Sequence, residues 1–251
     1  MEPLSVVIIT YNEEKNIARC LDTIRGISDD IVIVDSFSTD RTKEICEKEG
    51  VNFIQKVWKG YSLTKNYANN QAKHKWILSI DADEALSEEL KKSILQLKKE
   101  FNSNCVYKFN RRMNYCGKWI YHSGWYPDTK IRIFNKENSN WQGDIHEKLV
   151  VPAHFKEIHL KGDLLHYSYY SIQEHYKQAE KFAYMSADVL YRKGKKASWP
   201  LIYTKAGFKF LRNYLMKKGF LDGYTGFTIC KIAAWETYHK YSKLKRLNKE
   251  S

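Results

Sequence analysis

The 251-residue sequence has no close pair of cysteines, no long uncharged apolar run and no low-complexity stretch or internal repeat. Its five cysteines, Cys20, Cys46, Cys105, Cys116 and Cys230, are odd in number and scattered. That pattern argues against a disulfide framework and against a zinc knuckle, and a reducing compartment is expected. No apolar run approaches the roughly 18–20 residues that a membrane-spanning helix needs, and no basic leader with a short apolar core precedes Leu4. The expectation is a chain that is neither secreted nor membrane-spanning, located in the cytoplasm.

Net charge is +13, unevenly spread. Residues 168–251 hold 17 Lys/Arg against 6 Asp/Glu, together with 17 of the 36 aromatic residues. A basic, aromatic-rich tail on a nearly neutral remainder points to an anionic surface, either phospholipid headgroups or nucleic acid.

The first 100 residues alternate buried-strand runs with helical patterns. Leu4–Thr10 and Ile31–Asp35 are apolar and rich in β-branched residues, as strands covered on both faces require; Val51–Ile54 reads as a third, shorter strand, and Trp76–Asp81 as a fourth. Between them, Ile17, Leu21 and Ile24 recur at helical spacing up to Gly26, Ser38-Thr39-Asp40 can cap a helix running to Gly50, and a polar helix is expected over about Ser62 to Lys73. Ser87 with Glu88 and Glu89 opens another helix. Strands alternating with helices predict an α/β fold with a doubly wound, mainly parallel sheet. Residues 105–165 read as a mixed-sheet second half. From about Ser171 the pattern is helical, with breaks near Trp199-Pro200 and Gly219. The expected division is a catalytic domain over 1–167, with a donor half to about residue 104 and an acceptor half beyond it, and a helical extension over 168–251.

In a doubly wound sheet, ligands bind beyond the carboxyl ends of the strands. Thr10-Tyr11-Asn12-Glu13, Asp35 and Asp81-Ala82-Asp83 fall at three such ends, which points to a nucleotide site. Two carboxylates two residues apart suit a hard divalent cation that shares oxygens with a diphosphate; a solvated acidic turn is the plainer alternative. An Asp81 phosphorylated as in haloacid-dehalogenase-like hydrolases is a rival reading. That class, however, carries its motif on the first strand, whereas here it follows a late one.

The segments Ser5–Ile17 (SVVIITYNEEKNI), Ile33–Asp40 (IVDSFSTD) and Leu78–Glu84 (LSIDADE) resemble, in order and spacing, the three donor-site motifs of the family 2 glycosyltransferases, which have the GT-A fold. Ser36 stands where many members carry a second Asp. The resemblance implies that Thr10, Tyr11, Glu13 and Asp35 hold the base and ribose, that Lys65 lies near the donor, and that Asp81 and Asp83 serve the metal and diphosphate. Gly124–Asp128 (GWYPD) with Arg132–Phe134, Gly143–Leu149 (GDIHEKL) and Gly219–Phe227 (GFLDGYTGF) are similar to the subgroup that glucosylates the lipopolysaccharide inner core. It implies inverting transfer of glucose from UDP-glucose to a core heptose, on a lipid-linked glycan acceptor, with Mn2+ or Mg2+.

Inverting transfer needs a base for the acceptor hydroxyl proton. Glu147 is expected to be that base, with Asp128 and Asp144 as rivals and His146 orienting it or facing the acceptor. His166 is a candidate third metal ligand beside the two aspartates, imidazole suiting manganese, or else a structural histidine. Arg111, Arg112 and Arg132 can meet acceptor phosphates, though for the first pair a solvated charged face is the favoured reading. In the tail, Lys205, Lys209 and Arg212 mark one helix face, while Phe208, Leu211 and Leu215 mark another. Such a helix either lies peripherally in an anionic headgroup layer or packs on the catalytic domain. Two other readings stand: a polyprenyl-phosphate sugar synthase, and a nucleic-acid-binding protein whose tail stacks on bases. The latter leaves the acidic motif unexplained, so no nucleic acid is expected as partner.

Overall fold

In the computed structural model, which describes residues 1–143 and 147–250, the chain forms two compact units. The first comprises residues 1–111 and 128–167, and the second 112–127 and 168–251.

The first unit begins as alternating strands and helices. These are β1 (Leu4–Thr10), α1 (Ile17–Ile24), β2 (Asp30–Asp35), α2 (Thr42–Lys48), β3 (Asn52–Gln55), α3 (Tyr61–Gln71) and β4 (Trp76–Asp81). Three devices set the local boundaries. Gly26 takes a φ of +79° after α1, a conformation costly for a residue with a Cβ. Asp40 accepts from the Thr42 backbone N–H at the start of α2. Ser87 caps α4 (Glu88–Leu97) by accepting from the Leu90 N–H. A short β5 (Glu84–Leu86) precedes α4, and β6 (Cys105–Tyr115), β7 (Lys118–Trp119), β8 (Asp128–Asn135), β9 (Asn140–Gln142), β10 (Lys148–Val150) and β11 (Lys156–Tyr169) follow.

Among the described residues the main sheet runs β3-β2-β1-β4-β8-β6-β11-β5. The pairings among β3, β2, β1 and β4 are parallel, while β8 joins β4, β6 joins β8 and β11 joins β5 antiparallel. The fold is thus the expected α/β, GT-A-like one, its parallel half carrying βαβ units and its other half antiparallel. The chain runs outward from β1 to β3 and returns to place β4 on the other side of β1, which makes the β1/β4 junction the topological switch point.

Side chains of β1, β2 and β4 fill cores on both faces of the sheet. One holds Val6, Ile8, Ile33, Leu78 and Ile80 with α1 and α4, the other Val7, Val32, Val34 and Ile77 with Ala68 of α3. Burial on both faces explains the near-continuous apolar runs.

The second unit contains α5 (Ile172–Arg192), α6 (Trp199–Leu211), a π-helical turn over Arg212–Met216, a 3-10 turn over Gly219–Asp222 and α7 (Gly223–Glu250). Ser171 and Glu174 form a reciprocal capping box at the start of α5. Tyr115, Ile120 and Ile229 form its small buried core, with Trp125, Tyr169 and Ile172 against them. Asp222 is buried and accepts from the backbone N–H groups of Tyr121 and His122 and from the Ser123 hydroxyl. Gly226 permits the close approach of α7 to the preceding turn: a Cβ there would stand 1.9 Å from the Gly219 carbonyl oxygen. No described helix is long and apolar enough to cross a membrane.

Candidate active site

The strand register brings the separated motifs level. Thr10 pairs with Asp35 across β1 and β2, and Ile9 pairs with Asp81 across β1 and β4. The carboxyl ends carrying the donor-side candidates therefore form one edge at the switch point. There, Thr10 is buried and its hydroxyl has no hydrogen-bond partner, whereas Tyr11 is exposed. A buried hydroxyl without a partner costs free energy unless something outside the chain satisfies it. Asp35 is fully buried, accepts from the Ser38 backbone N–H at 2.9 Å and from its hydroxyl, and also accepts from Gln55 Nε2. Its carboxylate shapes the loop after β2, leaving that loop to frame the edge. Glu13 is raised above the ordinary carboxylate range, chiefly by burial and partly offset by the hydrogen bond from Asn16.

At the end of β4, Asp81 sits between two buried cations. Lys65 Nζ lies 3.2 Å from Asp81 Oδ1 and 3.0 Å from Glu147 Oε1, so one lysine of α3 ties together a strand end and a residue 82 positions away. Arg132 of β8 donates to Asp81 Oδ2 at 2.9 Å and to Glu84 Oε1 at 2.6 Å. Glu84 in turn accepts from the Asp81 backbone N–H. Burial would push the Asp81 carboxyl up, but Lys65 and Arg132 outweigh it and hold the group far below the usual carboxylate range. The same balance, burial outweighed by Glu84 and Asp81, raises Arg132.

Asp83 has a different partner. Its Oδ2 stands 2.8 Å from His166 Nε2, and its carbonyl accepts from the Tyr167 N–H. The antiparallel pairing of β11 with β5, which sets His166 opposite Glu84, brings the histidine there. Burial would lower His166, but the hydrogen bond and charge of Asp83 prevail and raise it. Among the described residues no cluster of three or more His, Cys, Asp and Glu side chains is poised around one metal position. The Asp83 carboxylate and the His166 imidazole, here hydrogen-bonded to each other at 2.8 Å, are donors of the types that would hold a manganese or magnesium ion beside a bound diphosphate.

Asp128 is clamped by Arg111, whose Nε and Nη2 donate to it at 2.9 and 2.7 Å, and by Lys130. Burial raises its carboxyl, but Lys130 and Arg111 together lower it below the ordinary range. His146 and Asp144 lie outside the described residues. Lys65, Asp81, Glu147, Arg111, Arg132 and Trp141 line a cavity of about 630 Å³, into which Lys108, Lys130 and Lys148 also open.

The structure thus joins Lys65, Asp81 and Glu147 in one ion cluster and Asp83 with His166 in a second, with Asp128 linked to the first through Arg111 and Glu84. Glu84 and Trp141 escaped the sequence reading. Trp141 lies under Lys65, its ring centroid 4.8 Å from Nζ. Arg132 carried a usable signal as a lone charge inside the apolar strand Ile131–Phe134. Glu84 carried only its adjacency to the acidic motif.

The crevice at the switch point of the α/β sheet carries the acidic motif beside a charged cavity, where the glycosyltransferase resemblance led the donor site to be expected. A family model described as glycosyl transferase family 2 matches residues 5–151, and the chain belongs to that family. An uncharacterized glycosyltransferase of Rickettsia typhi is 31% identical over 261 residues, covering 100% of this chain and 89% of its own. The lipopolysaccharide core biosynthesis glycosyltransferase LpsC of Rhizobium meliloti is 26% identical, covering 98% of this chain and 96% of its own. Among solved structures, S. aureus TarS 1-349 in complex with UDP-GlcNAc aligns with a TM-score of 0.45 at 16% identity, over 99% of this chain and 92% of that one. The protein is a family 2 glycosyltransferase.

Proposed function

We propose that the enzyme transfers a hexose, glucose from UDP-glucose in the first instance, with inversion, to a lipopolysaccharide inner-core or other membrane-associated glycan acceptor. The observation that carries this reading is Lys65, buried between Asp81 at the strand end and Glu147 at the cavity wall. It puts a cation suited to a sugar diphosphate beside a carboxylate suited to proton transfer. The acceptor class draws support from the end-to-end likeness to LpsC and from the inner-core motifs. The excess of Lys and Arg around the cavity suits an acceptor bearing phosphate or carboxylate groups.

In this mechanism Thr10, Tyr11 and Glu13 hold the nucleoside along the edge framed by Asp35. Asp81, held by Lys65 and Arg132, fixes the orientation of those two cations toward the donor. Asp83 and His166 would hold a divalent cation, Mn2+ or Mg2+, whose charge would offset that of the diphosphate. Glu147 takes the proton from the acceptor hydroxyl as its oxygen attacks the anomeric carbon from the face opposite the leaving group. Asp128 is the second candidate for that role: two cations, Arg111 and Lys130, lower its affinity for a proton, whereas Glu147 is bonded to Lys65.

Thermal-shift titration with UDP- and GDP-sugars in the presence of manganese tests the donor assignment. A donor that binds the folded state raises the melting temperature with concentration, and the expected responder is UDP-glucose. A response to GDP-sugars with none to UDP-sugars would overturn the donor class.

A further inference from the structure

The second unit turns an apolar surface toward solvent. On α6 and the π-turn that continues it, Phe208, Leu211 and Leu215 recur at helical spacing along one stripe. All three are more than half exposed, and Met216, ending the stripe, is 71% exposed. Beyond the turn Leu221 and Tyr224 are also exposed, the latter by 78%. An amphipathic helix ordinarily buries such a stripe. Here the inner side is filled by other residues, Ile202 and Asn213 being buried.

The platform beneath this surface is well seated. Phe210 and Tyr214 pack on Phe227 of α7 at ring-centroid distances of 5.8 and 5.9 Å, and Gly226 allows α7 its tight approach to Gly219. The outward face is therefore a consequence of stable packing within the unit. Isolated exposed leucines need no explanation, but a run of large apolar side chains of this kind marks an interaction site.

Charge selects the partner. Lys205, Arg212, Lys217 and Lys218 are exposed around the apolar residues. Between Asp188 and Glu236 the single acidic residue is Asp222, which is buried and engaged with the 121–123 backbone and Ser123. Within this stretch the exposed charges beside the apolar residues are all cationic, Asp222 being buried. A second copy of the chain would set two such cationic rims against each other, a repulsive match. An anionic bilayer offers hydrocarbon for the centre and phosphate for the rim.

We propose that this face inserts Phe208, Leu211, Leu215, Met216, Leu221 and Tyr224 into the interfacial layer of an anionic phospholipid membrane. Lys205, Arg212, Lys217 and Lys218 then contact the headgroups. The apolar contribution is the larger one. Lys209, which the sequence groups with Lys205 and Arg212, is only half-exposed and close enough to Glu236 and Lys240 of α7 to perturb both, so the basic face is partly used inside the unit. The inference is independent of which sugar is transferred and to what acceptor.

The test uses the full chain with vesicles of phosphatidylcholine and phosphatidylglycerol. Wild type is expected to sediment with the vesicles and to stay largely bound in about 1 M salt, where the Debye length is roughly 3 Å. Replacement of Leu211, Leu215 and Met216 together by Ser should weaken binding at least tenfold, while circular dichroism and the donor-induced thermal shift remain unchanged. Replacing Lys205, Arg212, Lys217 and Lys218 by Gln should weaken binding at low salt and match wild type at high salt. Release of wild type by salt would overturn apolar insertion without any variant, so the proposal stands or falls even if the triple-serine protein does not fold. Wild-type-like binding by a folded triple variant would also overturn it. So would a vesicle-free dimer that the triple variant converts to monomer while wild type ignores vesicles.

Discussion

The two units treat charge and apolar surface in opposite ways. The first buries Lys65, Glu84 and Arg132 beneath a cavity, and the second exposes Leu215, Met216 and Tyr224 to solvent. Each arrangement runs against the ordinary sorting of side chains, in which charged groups stay wet and large apolar ones go inside. Buried charge is tolerated where every ion has a partner, as along the Lys65–Asp81–Arg132–Glu84 chain. Exposed apolar surface is retained where a partner covers it. On the proposed readings, the first unit's exception serves chemistry on a small charged substrate, and the second's serves attachment.

The largest expected effect tests the charged side of this contrast. Glu147→Gln keeps the size of the side chain and some of its hydrogen bonding but cannot accept a proton. Turnover should fall by about 10²–10⁴-fold with donor affinity little changed, as read by initial rates alongside donor titration. If Asp128→Asn abolishes transfer and Glu147→Gln does not, the base has been assigned to the wrong carboxylate.

Next in size is Arg132→Gln. It leaves Glu84 and Asp81 short of a buried cation, and loss of one partner of a buried pair costs about 3–5 kcal/mol. The measurement is urea unfolding. A variant as stable as wild type would show that water reaches this network and that its charges are not dry.

Metal removal comes third. Excess chelator should suppress transfer, and His166→Gln should raise the manganese concentration needed for half-maximal activity about 10-fold or more, a ligand loss commonly having at least the effect of losing its supporting partner. Full turnover in chelator would break the assignment of Asp83 and His166 to a cation.

A smaller effect sharpens the other side of the comparison. In the second unit His175 is buried among Tyr115, Trp125 and Tyr169, and burial lowers its pKa from 6.5 to about 4. The unfolded chain therefore takes up a proton below pH 6.5 that the folded chain refuses until about pH 4. The stability contributed by the neutral ring is complete above pH 6.5 and lost as pH falls through 4. Melting temperature should drop over that interval more in wild type than in His175→Gln. Parallel pH profiles would show that His175 is solvated in the folded state.

The sequence by itself determined the parallel half of the sheet, because a strand covered on both faces must be apolar almost throughout, as Leu4–Thr10, Ile31–Asp35 and Trp76–Asp81 are. It also located the acidic motif at a strand end, since Asp81 closes an apolar run. Ser87 and Ser171 were legible as helix starts for a similarly local reason: a cap reads only the few residues around it. Tertiary structure alone decided which partner each of these residues found. His166 reaches Asp83 only because β11, a long strand with little apolar alternation, pairs antiparallel with the three-residue β5. Lys65 meets Glu147 only because α3 and the segment before β10 converge across 82 positions. The outward turn of Phe208, Leu211 and Leu215 was equally hidden, since a helical stripe records which residues share a face and not whether that face meets protein, water or lipid. Local sequence encodes periodicity and burial through short-range sterics and hydrophobicity, whereas the pairing of distant charges depends on strand order and register, which no single segment contains.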